Sequence, residues 1–66
     1  MFIKIDDEII IDLREVKVIQ KTKKDETQSE IVFVFKQNAE QLKCCLENLV
    51  AEKLWKSISA LLKLYD

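Results

Sequence analysis

The segment 48–65, NLVAEKLWKSISALLKLY, is the feature around which the rest of so short a chain has to be built. At about 100° per residue, Val50, Ala51, Leu54, Trp55, Ile58, Leu61, Leu62, Leu64 and Tyr65 gather on one side of a helix, while Glu52, Lys53, Lys56, Ser59 and Lys63 take the other. The apolar arc spans roughly half the cylinder, wider than the ~100° stripe that seats a helix on a single core. Such a helix has more than one surface to cover, so association enters the expectation from the outset.

Chain length points the same way. Sixty-six residues form one domain, 1–66, and a domain of that size buries only about 60% of the surface its unfolded chain exposes. Disulfides, a metal or association usually make up the shortfall. The two cysteines, Cys44 and Cys45, are adjacent and cannot staple distant segments. With no histidine in the chain, two thiols fall short of a structural zinc site, so no metal or cofactor is expected. Association is what remains.

Ahead of the helix the pattern is that of strands. Residues 2–5 alternate, Asp6-Asp7 supplies a tight turn, and 8–11 runs back, which places Ile3, Ile5, Ile9 and Ile11 on one face and Phe2 and Ile10 on the other. Aspartate suits such turns because its short side chain bonds the local backbone and tolerates left-handed geometry in a chain with no glycine. Asp12-Leu13-Arg14-Glu15 reads as a bend with Leu13 plugging the core. Residues 16–22 form the next strand, Val16 and Val18 inward, Lys17 and Ile19 outward. The polar run 23–29, KKDETQS, reads as a long mobile hairpin tip. The strand 30–36, EIVFVFK, has the β-branched and aromatic content of a central position, with Ile31, Phe33 and Phe35 opposed to Val32 and Val34.

Residues 37–47, QNAEQLKCCLE, admit two readings. As a helix, they offer Asn38 and Gln41 in the spacing of a capping box. As a strand, they turn near Asn38-Ala39, bring Leu42, Cys44 and Leu46 inward, and leave Asn48 to cap the helix. Phase favours the strand, because Leu42, Leu46 and Leu49 lie well off the direction set by Leu54, Ile58 and Leu62. The expectation is an α+β domain, an antiparallel meander of four to five strands packed on one C-terminal helix. The alternative is three to four strands followed by a longer helix starting near Asn38.

Charge and motifs exclude more than they assign. Eleven basic against twelve acidic residues lack the basic excess of a strong polyanion binder. The opening MFIKIDDEIII lacks the flank and apolar run of a signal peptide, and no stretch reaches the ~18 apolar residues of a membrane span, so a cytoplasmic protein is expected. The absence of glycine and proline, with abundant Ile and Lys, fits an AT-rich bacterial or phage genome. Without histidine there is no base for the Cys44-Cys45 thiols, and a strand would point them to opposite faces. Asp6-Asp7-Glu8 and Asp25-Glu26 lack the regular oxygen spacing of a calcium loop and are explained as turns. No catalytic residue, small-molecule site or enzyme activity is therefore expected.

Two functions remain. One is a non-enzymatic protein-interaction or regulatory module, a homodimer or the companion of a protein partner, using Trp55, Leu61, Leu64 and Tyr65 of the helix or Phe2, Ile10, Ile19, Val32 and Val34 of the second apolar row. The other is a small single-stranded nucleic-acid binder using Arg14, Lys17, Lys21, Lys23 and Lys24. The second is disfavoured, because Asp25 and Glu26 adjoin those cations and no exposed aromatics interleave them for base stacking.

Overall fold

The computed structural model describes residues 1–63. Five antiparallel strands precede one helix: β1 Phe2–Lys4, β2 Ile10–Asp12, β3 Val16–Lys23, β4 Gln28–Phe35, β5 Gln41–Glu47 and α1 Asn48–Lys63. The α+β class, the antiparallel pairing and the C-terminal helix match the sequence reading, and the longer helix from Asn38 is replaced by β5. The strands divide into two sheets, β1-β2 and β3-β4-β5.

Local chemistry explains the division. Asp6 Oδ1 accepts from the amides of Glu8 at 2.8 Å and Ile9 at 3.0 Å, which reverses the chain between β1 and β2. A second aspartate, Asp12, accepts from the Arg14 amide at 3.0 Å and starts one turn of 3₁₀ helix, Leu13–Glu15. That turn ends the first sheet and drops Leu13 into the core at 4% exposure. A third, Asp25, accepts from the amides of Thr27 and Gln28, both at 2.8 Å. The tip expected over 23–29 is consequently shorter: β3 runs to Lys23, β4 starts at Gln28, and Ser29 is buried.

The β4–β5 connection meets a harder requirement. Asn38 at φ 67° and Ala39 at φ 51° occupy the left-handed region, which costs a residue with a Cβ about 1–2 kcal/mol. Asparagine partly relieves the strain by local hydrogen bonding; alanine has no such means.

One irregularity sets the sheet's polarity. Val16 pairs with Phe35 but Val18 pairs with Val34, so the register shifts around Lys17. A bulge inserts one residue and reverses which side chains face the core. Beyond it, Ile19 lies opposite Phe33 and Lys21 opposite Ile31. The expected orientation of this strand is corrected accordingly: Ile19 faces inward and Val18 outward. Alternation counted straight through the bulge carries the wrong phase.

Among the described residues, the ten buried apolar side chains belong to one cluster. Ile3, Ile5, Ile11 and Leu13 come from the β1–β2 region, Ile31, Phe33 and Cys44 from the inner face of the three-stranded sheet, and Ala51, Leu54 and Ile58 from α1. Hairpin and helix thus share the work of covering one sheet face. At the joint, Asn48, expected to cap the helix, is the first residue of α1, and its side chain bonds outside the helix: its Oδ1 accepts from Ser29 Oγ at 2.6 Å and its Nδ2 donates to the Glu26 carbonyl at 2.7 Å, tying the helix start to the β3–β4 turn.

Candidate protein-interaction surfaces

On β4 the side chains alternate between two environments. Ile31 and Phe33 are completely buried, whereas Val32 and Val34 point to the opposite face and are only half-buried. There Val34 lies between Val18 and Gln41, and Val32 between Gln20 and Lys43. The centre of the outer face is therefore a trio of valines with a polar border. Val18, 40% exposed, joins it only because of the bulge, which is why the sequence pattern misses it.

Phe2 and Ile10, 66% and 65% exposed, lie on a different surface from the one expected. They occupy the side of the β1–β2 hairpin that turns away from the shared core, while Val32 and Val34 occupy the outer side of the other sheet. Ile19 is not part of either. It is half-buried and packs against the core. Arg14 stands over the Phe2 ring, 6.0 Å from its centre, and is held there by Asp12.

The apolar arc of α1 is seated only along its middle. Ala51, Leu54 and Ile58 are buried, Leu61 and Trp55 half-buried, and Val50 and Leu62 exposed. Leu49, exposed at the helix start, projects away from the buried stripe, as its helical phase requires. Leu64 and Tyr65 lie outside the described residues. Between α1 and β3 is a cleft of about 340 Å³, bounded by Leu13, Val16, Ile19, Trp55, Ile58 and Leu62 with Lys17 and Ser59 at its margin. The sequence places the cleft's helix residues on one side but gives no sign that β3 leaves space beside them.

Three of the five cations of the nucleic-acid reading stand against carboxylates. Arg14 makes a two-point contact with Asp12, its Nη2 donating to Oδ2 at 2.8 Å and its Nε to Oδ1 at 3.1 Å. This bonding holds the Asp12 carboxyl down at about 2, assisted by the Arg14 amide. Lys21 is engaged by Glu52 and lies over the Trp55 ring at 5.8 Å. The hydrogen bond from Lys21 also lowers the Glu52 pKa. This cross-element pair takes the place of the helical Glu52–Lys56 pair that i,i+4 spacing offers. Lys24 stands 3.6 Å from Glu30. Lys17 and Lys23 have no ion pair among the described residues.

Cys44 and Cys45 point to opposite faces, Cys44 buried and Cys45 exposed with its Sγ donating to Gln28 Oε1 at 3.2 Å. Burial raises the Cys44 pKa, and the Asp6 carboxylate adds to the rise, so this thiol stays protonated and weakly nucleophilic. Among the described residues no group of three or more acidic, Cys or His side chains could hold a metal, and no helix is long and apolar enough to cross a membrane. No protein-family profile matches the chain, and no curated protein or solved structure matches it significantly.

Proposed function

We propose that this chain is a non-enzymatic protein-interaction module, acting in the cytoplasm as a homodimer or bound to a protein partner. The observation that carries the reading is the outer face of β3-β4-β5, where Val18, Val32 and Val34 form an apolar centre that neither the hairpin nor the helix covers. A sheet in a single-sided α+β domain ordinarily presents polar side chains to water on that face. Covering the trio removes apolar surface from water at about 25 cal/mol per Å², and a two-fold pairing of identical faces closes without leaving a patch to propagate. The unbridged, adjacent thiols are compatible with a reducing compartment.

Sedimentation equilibrium at micromolar concentration tests the homodimer. The expected result is a concentration-dependent dimer; a monomer throughout directs the search to a heterologous protein bound on the same face. Anisotropy with labelled single-stranded oligonucleotides tests the competing function, and tight binding that falls steeply with salt would overturn the protein-interaction reading.

A further inference from the structure

Resting on that reading but concerning a separate surface, we propose that the free edge of β3 and the cleft beside it take an extended segment of a partner protein, apolar on one side and carrying carboxylates. The segment adds as a fourth strand. Among the described residues β3 pairs only with β4, so its other edge presents backbone donors and acceptors without a strand neighbour. Strand addition uses such an edge for affinity and a neighbouring hollow for selectivity. The cleft between β3 and α1 is placed for that purpose: alternate side chains of an added strand descend toward Ile19, Trp55 and Leu62.

Charge selects the occupant. Strand β3 carries Lys17, Lys21 and Lys23 and no acidic residue, whereas the other edge strand, β5, balances Lys43 against Glu47. Glu52 already answers Lys21. Lys17 and Lys23 remain near the two ends of the edge, six positions and roughly 20 Å apart along the strand. They are spaced for carboxylates near the two ends of a short bound segment.

The same lysines reject a second β3. In an antiparallel two-fold register centred on Gln20, Lys17 of one copy faces Lys23 of the other, and this happens twice. Sliding the register by two residues sets Lys21 against Lys17 in one direction and against itself in the other. Like charges directly opposite destabilise a strand pair. Lysines and the bulge therefore guard the edge against self-pairing while admitting an acidic strand.

The test uses short synthetic peptides that alternate valine with glutamate, glutamine or lysine, titrated into the ¹⁵N-labelled protein at low salt. The glutamate peptide is expected to bind at least about tenfold tighter than the lysine peptide. Its amide shifts should map to residues 16–23 and the Trp55 indole, and methylating the peptide nitrogens that face β3 should abolish binding. Lys17→Glu combined with Lys23→Glu should reverse the peptide preference, an outcome that general loss of structure cannot produce. Binding that moves Val32 and Val34 but leaves Trp55 unchanged overturns the edge assignment and leaves the protein-binding function standing. Absence of binding by every peptide overturns the inference, while sedimentation judges the outer face independently. Equal affinity for glutamate and lysine peptides overturns the charge selection.

Discussion

On β4, Ile31 and Phe33 are sealed from water, while Val32 and Val34, neighbours on the same strand with the same β-forming character, retain exposed surface. What separates the two pairs is supply. The inner pair is covered by the β1–β2 hairpin and α1 together, contributing Ile3, Ile5, Ile11, Ala51, Leu54 and Ile58 to one core. No further element of the described chain is available for the outer pair. In a domain this small the ratio of surface to volume is high, and a smaller share of the chain's surface is buried than in a larger domain. The comparison teaches that the apolarity of a strand face does not by itself decide its burial, which depends on whether another element of the chain is there to cover it.

The strongest attempt to break this contrast is a pair of alanine substitutions on adjacent residues. Phe33→Ala should cost about 3–5 kcal/mol, a large fraction of the ~5–15 kcal/mol that holds a typical domain together. Val32→Ala in the monomer should cost less than about 1 kcal/mol, within the range of substitutions away from a sealed core. Urea melts followed by circular dichroism check both. Equal losses would mean that the outer face is fully covered under the conditions of the melt. A smaller effect, about 1–2 kcal/mol, is expected for Asn48→Ala, which removes hydrogen bonds to both Ser29 and the Glu26 carbonyl. Its thermal melt should shift with the core packing intact, which distinguishes loss of the seam between helix and turn from loss of the core itself.

Much of this inner architecture is legible in the residues. The helix is visible in the period of Ala51, Leu54 and Ile58, and β5 in the phase conflict between Leu46 and Leu54. Aspartates mark the turns before Ile9 and after Lys24. The candidate surfaces are less legible, and for definable reasons. A bulge depends on pairing between strands, so alternation along 16–22 gives no notice that Lys17 is the extra residue; Ile19 and Val18 are exchanged as a result. Phe2 and Ile10 share the apolar character of Val32 and Val34, and only the 3₁₀ turn at Leu13–Glu15 shows that they belong to another sheet. The Lys21–Glu52 pair joins residues that are 31 positions apart, beyond any local rule of spacing.

The outer face can be altered without touching the inner one. Val34→Lys places a charge among the three valines and should change monomer stability by less than about 1 kcal/mol, since its side chain already reaches water. Its effect on association should be much greater, because a charge at the centre of a buried contact must be desolvated. A folded monomer in sedimentation equilibrium is the expected outcome. A dimer of unchanged strength would move the contact to another surface, with Phe2 and Ile10 on the hairpin the next place to substitute.

The finest probe concerns the hairpin that covers the inner face. Asp12 closes β2, accepts from Arg14 and lies 3.7 Å from the Met1 amino group, and its pKa is held at about 2 against an ordinary 3.8. Because the folded state takes up this proton less readily than the unfolded chain, the carboxylate's contribution is fully present above about pH 3.8 and is lost as the pH falls toward 2. Asp25 and Glu52 are also lowered, by the Thr27 amide and by Lys21 respectively, so the wild-type acid limb has several contributors. Comparison with Asp12→Asn isolates one of them. Thermal melts should separate the two proteins at about pH 5 and bring them together as the pH approaches about 2. A gap that stays constant over that interval would show that Asp12 ionisation contributes nothing to holding the hairpin over Ile31 and Phe33.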